Sequence, residues 1–385
     1  MVGKVLQSRG MGLSLKFILV ASCFVVLFSL IVLPRTFSTL LSSRDLMKPS
    51  NNHLPDFTNG GIIVFYHIYK TGGSTVGKML HEMSREDRAQ YPKTKSDNKL
   101  ESFKSAQWNP SRLFFTMIRK SISWEDDCLE TLDLAEIHKK LVLLELHIEY
   151  PAPNFPSLVE LTPMLDKWRT EAGRRGVGFF AFTQIREPVA HALSFFNFFH
   201  VGNAGKKRPP PTIVDHDYWN PFRPLESTED NFLHSYFATD RQCRMLNSDP
   251  QATTGAPYDV VWTQKALSEE QVETSRKPCR VDKVRDTFFN SLDWVGTTEN
   301  LQNETLPLLT KLVMDDPNRG RNNKPFKVFD NNLSGAVGMK KYDLSNKTMD
   351  AILARTQLDR ELYKEVTRNF RLSNLGWDYQ SPVNG

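Results

Sequence analysis

The chain has 385 residues, of which 40% are hydrophobic and 24% charged, with 25 phenylalanines. That balance excludes a generally disordered chain and leaves room for one large domain or two smaller ones. A net charge of +5 and a pI near 8.9 make it mildly basic, which suits a polyanionic partner without requiring one.

The first feature in chain order is an apolar run from Phe17 to Leu33, interrupted only by Ser22, Cys23 and Ser29. Its length lies at the short end of what crosses a bilayer, typically ~20 residues. Lys4, Arg9 and Lys16 precede it, which predicts a cytosolic N-terminus. A cleaved signal peptide is the competing reading, but no small-x-small site directly follows Leu33. We therefore expect a cytosolic tail over 1–16, a transmembrane signal anchor over 17–33, a stem over 34–59 and a lumenal domain over 60–385. Asn303, Asn332 and Asn346 each head an Asn-x-Ser/Thr triplet, as a lumenal glycoprotein would carry. Cys23 falls in the anchor. Cys128, Cys243 and Cys279 allow one disulfide and one leftover thiol in an oxidising lumen. The expected pair is Cys243 with Cys279, because both lie in one non-repetitive insert. No metal-ligand spacing is present, so no metal is expected.

The folded domain opens at Gly60-Gly61. Ile62 to Tyr66 is continuously apolar and branched, as in a buried parallel strand. A glycine turn follows, and then a helix over about 74–83. Segments 112–118, 141–148 and 178–185 read as further strands, with a helix over 157–175 between the last two. Pro188 suits the first turn of another helix, which carries His191, Ser194 and a phenylalanine stripe. Residues 201–228 read as a long loop rich in Gly, Lys and Pro. The stretch 267–290 reads as partly helical, 292–296 as a short strand, and 344–370 as a closing helix or helix pair. Strands alternating with helices predict an α/β three-layer domain with a mainly parallel central sheet.

The sharpest local signal is His67-Ile68-Tyr69-Lys70-Thr71-Gly72-Gly73-Ser74-Thr75, between a strand and a helix. Amides of such a turn and the helix N-terminus attract phosphate. Lys70 adds a cation, and Ser74 and Thr75 add hydroxyls. It is not a Walker A loop, because Lys70 precedes the glycines instead of following them. Thr183 to Phe196 contains a second strand-to-helix junction, in which Arg186 offers a planar fork for phosphate and Ser194 follows eight residues later.

Phe65 to Thr75 resembles the 5′-phosphosulfate loop of the Golgi carbohydrate sulfotransferases, especially the glycosaminoglycan branch. Arg186 and Ser194 match the spacing of that family's 3′-phosphate element. Arg241-Gln242-Cys243-Arg244-Met245-Leu246, Phe289 to Leu301 and Leu358-Asp359-Arg360-Glu361-Leu362-Tyr363 are similar to three further family segments. The resemblance spans roughly residues 60–372 and is thin over 85–140 and 201–260. It implies a P-loop-like fold, a Golgi membrane location and the sulfuryl donor 3′-phosphoadenosine 5′-phosphosulfate (PAPS). Lys70, Thr71, Gly72, Gly73, Ser74 and Thr75 would then hold the 5′-phosphosulfate, and Arg186 and Ser194 the 3′-phosphate. The acceptor would be a hydroxyl of a glycan.

Transfer to a hydroxyl needs a base within hydrogen-bonding reach. His147 is the first candidate and Glu145 the second, since Glu145, His147 and Glu149 share one strand face. Glu145 would orient His147 and raise its pKa. Lys70 would neutralise the leaving phosphate. His67 and His191 read as supporting residues. Arg174-Arg175, Lys206-Lys207-Arg208 and the stretch 319–327 are candidate contacts for an acidic glycan. No nucleic-acid partner is expected in a lumenal compartment. The competing functions are a lumenal ATP-dependent P-loop kinase, which the missing GK[ST] order disfavours, and a non-catalytic glycan-binding relative, which the intact Lys70, Arg186 and Ser194 disfavour.

Overall fold

A computed structural model of the chain describes residues 54–89, 107, 111–118, 123–147, 156–201, 226–234, 240–247, 279–314, 338 and 340–375. The chain divides into two compact units, 1–51 and 52–385, and every described residue belongs to the second. The expected anchor at 17–33, Glu149, the basic segments 206–208 and 319–327, and Asn332 lie outside the described residues. Among the described residues no helix is long and apolar enough to cross a membrane.

Five strands form one sheet: β1 (Gly61–His67), β2 (Leu113–Ile118), β3 (Leu141–His147), β4 (Gly178–Ile185) and β5 (Trp294–Thr297). Their order is β2-β3-β1-β4-β5, and every pairing is parallel. A parallel strand covered on both faces has to be apolar on both, which is why β1 and β4 are buried at every position. The expected strand boundaries hold to within two residues.

The covering helices follow from side-chain period. Helix α1 (Gly73–Ala89) presents Val76, Met79, Leu80 and Met83 to Ile63, Phe65, Leu143 and Phe182. Helix α2 (Leu129–Glu136), entered through a π turn at Trp124–Cys128, lies on the opposite face. So does α3 (Leu158–Arg174), started by a capping box in which Ser157 and Glu160 exchange hydrogen bonds. Next come α4 (Pro188–Phe196), α5 (Glu229–His234), α6 (Arg241–Leu246) and α7 (Val281–Asn290). Helix α8 (Leu306–Met314) joins the α1 face. Two helices, α9 (Asn346–Arg355) and α10 (Gln357–Asn369), close the domain, and Leu362 and Val366 of α10 pack on the α3 face. The architecture is therefore helix, all-parallel sheet, helix. Cys243 and Cys279 form the expected disulfide, and Cys128 is left free and buried.

The connection after β1 leads to strands on one side of it, while the connection after β4 leads to the other side. Such a reversal opens a crevice at the carboxyl ends of the two strands, the place where open α/β sheets bind ligands. Both elements singled out in the sequence sit on its rims.

Candidate functional site

The first rim is the turn 68–72. Lys70 adopts φ 62° and Gly72 φ 80°, so the chain turns twice through the left-handed region. For a lysine that conformation costs about 1–2 kcal/mol, and the surroundings hold it in place. Three successive carbonyls are engaged by side chains. Thr71 Oγ1 donates to Ile68 O at 2.9 Å, His191 Nε2 to Tyr69 O at 3.0 Å, and Arg186 Nη1 to Lys70 O at 3.2 Å. The last two come from the opposite rim and lock the two elements together. Helix α1 then starts at Gly73, which leaves the first-turn amides, Gly73 and Ser74 among them, without an intrahelical acceptor. Ser74 is exposed and Thr75 half-buried at this end. The Thr71 side chain closes the turn instead of facing the crevice.

The second rim is Arg186-Glu187-Pro188. Glu187 caps α4 by accepting from Ala190 N, and Pro188 occupies the first turn. His191, one turn on, is fully buried, and burial lowers its pKa to about 3, helped by Arg186, Arg241 and Lys70. It is therefore a neutral strut between α4 and the lysine turn. Ser194 is half-buried further along α4, and no hydrogen bond joins it to Arg186.

Lys70 and Arg186 are both depressed in pKa, chiefly by burial. Lys70 falls to about 8, and Arg186 adds to its shift by like-charge repulsion. Among the described residues neither forms an ion pair. The Lys70 ammonium lies 4.0 Å from the ring centroid of Phe198, which is 52% exposed. Two partly desolvated cations sharing one crevice have the charge and the donors that an anion would require.

Behind Lys70 the sheet supplies a cluster of His67, Glu145 and His147. Strand register sets it, with His67 opposite His147 and Phe65 opposite Glu145. Glu145 does not reach along its own strand to His147. Its Oε1 accepts from His67 Nδ1 at 2.6 Å. The bond runs diagonally between the two strands, a span that the long glutamate side chain covers. His67 and Glu145 are only 3% and 1% exposed. The glycines of α1 make room for them. A methyl group at Gly73 would run into the His67 ring, and one at Gly77 into the Glu145 carboxylate. His147 is half-buried and meets the rings of His67 and Tyr69 edge-on, at 4.3 and 5.3 Å. One donor atom from each of His67, Glu145 and His147 lies within 4.8 Å of the others, so this is also where a divalent cation could be held.

Other expected contacts lie elsewhere. Arg174 and Arg175 lie at the amino-terminal end of β4, remote from the crevice. Arg174 pairs with Glu171, and Arg175 with Asp133, Glu136 and Glu171. These are the arginines expected to contact an acidic glycan, and each already has an acidic neighbour here. Conversely, Gln242, Glu299, Asp359 and Tyr363 acquire places around Arg186 that residue type alone did not indicate. Gln242 bonds the Arg186 backbone, Glu299 accepts from Glu187 N, and Tyr363 donates to Glu299. Their signal in the sequence was membership of the three downstream segments that resemble the sulfotransferase pattern. No protein-family model matches the chain, and no curated protein sequence matches it.

Proposed function

We propose that the chain is a PAPS-dependent sulfotransferase that moves a sulfuryl group to a hydroxyl of a glycan by in-line displacement. The observation that carries this reading is the pair Lys70 and Arg186, joined across the β1/β4 crevice through the Lys70 carbonyl, neither of them in an ion pair among the described residues. Two phosphates at opposite ends of one nucleotide match two cationic rims better than one triphosphate chain does. The turn with Lys70, Gly72, Gly73, Ser74 and Thr75 takes the 5′-phosphosulfate, and Arg186 takes the 3′-phosphate, with Ser194 assigned there by resemblance.

In the reaction the acceptor oxygen forms a bond to sulfur as the sulfur–oxygen bond to the 5′-phosphate breaks. Lys70 stabilises the charge that develops on the departing phosphate. His147, the accessible member of its cluster, takes the acceptor proton. Glu145 is buried against His67, so in this account it fixes the cluster, and the base is His147. A lumenal Golgi location with a single N-terminal anchor belongs to the same proposal.

The test is calorimetric titration in excess chelator. Adenosine 3′,5′-bisphosphate should bind without metal, and ATP with magnesium should not. Binding of ATP with magnesium and indifference to the bisphosphate would replace this reading with a kinase.

A further inference from the structure

Past Ile185 the sheet has no more partners to offer. Pairing of β4 with β1 ends at Thr183, and pairing with β5 ends at Ile185. The backbone of Arg186 therefore needs another source of hydrogen bonds. The side chain of Gln242, from α6, supplies both. Gln242 Oε1 accepts from Arg186 N at 2.7 Å, and Gln242 Nε2 donates to Arg186 O at 2.8 Å. The carboxamide thus pairs with Arg186 as one more residue of a neighbouring strand would.

Gln242 is itself fixed. It is only 2% exposed, and its own amide donates to Asp359 Oδ2 at 3.0 Å. The adjoining amide of Cys243 donates to Asp359 Oδ1 at 2.7 Å. Asp359, from α10, has its amide on Asp240 Oδ1 at 2.9 Å. The Cys243–Cys279 disulfide ties α6 covalently to the chain entering α7. Every link is a buried or half-buried bond with ordinary geometry.

We propose that Gln242 is a positioning residue that sets the place of Arg186, and with it the preference for a nucleotide bearing a 3′-phosphate. The inference rests on the sulfotransferase reading and specifies which half of the donor this network serves. A guanidinium on an untethered backbone would lose the fixed geometry that a two-pronged phosphate contact needs. Gln242 touches no ligand in this account. It acts through the backbone of Arg186, so the 3′-phosphate end should feel its loss most, and the 5′-phosphate end at Lys70 only through the hydrogen bond from Arg186 to the Lys70 carbonyl.

That separation gives the test. Affinities for adenosine 3′,5′-bisphosphate and adenosine 5′-monophosphate are measured by calorimetry on the whole chain. Their ratio reads the contribution of the 3′-phosphate. Gln242→Met keeps the volume and removes both hydrogen bonds. It should lower the ratio about tenfold, the scale of two buried hydrogen bonds, with the loss for the 5′-monophosphate the smaller of the two. Thr162→Val, which removes a hydroxyl contact of 3.0 Å to Thr287 between α3 and α7, is the control and should leave the ratio unchanged. A wild-type ratio near one would overturn the sulfotransferase reading and this inference together. A strong wild-type preference kept by Gln242→Met, or an equal loss for both ligands, would overturn the inference alone. If Gln242→Met does not fold, hydrogen exchange on the wild-type chain decides. The Arg186 amide should be protected as well as that of Ile185, and rapid exchange would refute the tether.

Discussion

Removing the carboxylate of Glu145 should be among the costliest single changes in the sheet. Its hydrogen bond with His67 is 2.6 Å long and shut away from water, with 1% and 3% of the two residues exposed. Glu145→Ala leaves the His67 N–H without its acceptor and opens space against Gly77. Breaking a buried charge-assisted pair from one side costs about 3–5 kcal/mol. His67→Ala exposes the same pair from the other side and should cost a similar amount. With both residues removed, no stranded group remains. The double variant should therefore be less destabilised than the sum of the singles by about 2–3 kcal/mol. The assay is equilibrium urea unfolding of the four proteins, followed by far-ultraviolet circular dichroism and tryptophan fluorescence, with coincident transitions required before free energies are compared. Costs that add to within about 0.5 kcal/mol would refute the pairing.

Three other outcomes follow from the same geometry. Gly77→Ala should destabilise by about 1–3 kcal/mol because its methyl meets the Glu145 carboxylate, whereas Gly173→Ala, with open space at that position, should be neutral or stabilising by up to about 1 kcal/mol; urea midpoints compare them. Burial, reinforced by Asp240, pushes Asp359 up to about 7, so the folded chain holds a proton that the unfolded chain has lost between about pH 4 and 7. Stability should fall as pH rises through that window and level off above it, and Asp359→Asn should remove this component of the slope in melts across pH 4–8. Burial also pushes the Cys128 thiol up to about 12, so iodoacetamide at pH 8 should leave Cys128 unmodified in the native chain and alkylate it in urea; peptide mass mapping reads the difference.

The sheet was legible because burial on both faces imposes apolar runs, and Gly61–His67 and Gly178–Ile185 each announce a strand without any partner in view. The two rims were legible for a related reason: glycines and a proline mark strand-to-helix junctions, and a cation beside each suggests an anion. What binds the rims together was not. His191, Gln242 and Asp359 act through hydrogen bonds to residues 56 to 122 positions away in the chain, and nothing local distinguishes them from other polar residues. Glu145 was expected to share a strand face with His147 and to orient it, whereas its hydrogen bond goes to His67 of the neighbouring strand. Strand period gives the face, while the residues of the next strand that come within reach, here the diagonal His67, depend on register, which only the fold supplies. Arg174 and Arg175 differ in this respect: Glu171, which pairs with Arg174, lies three residues away in the same helix, whereas Asp133 and Glu136, which pair with Arg175, come from another helix that only the fold brings near.

The most direct measurement of the central claim is transfer of labelled sulfate from PAPS to a panel of desulfated polysaccharides, comparing the wild-type chain with Lys70→Ala and His147→Ala. The account predicts transfer to at least one acceptor. It predicts a loss of about 10²–10³-fold for Lys70→Ala, the scale of removing one donor aimed at developing charge. For His147→Ala it predicts a loss of about 10²–10⁴-fold, the scale of a missing general base. Transfer that survives unchanged in Lys70→Ala, or its absence from every acceptor by a chain that binds the bisphosphate, would contradict it.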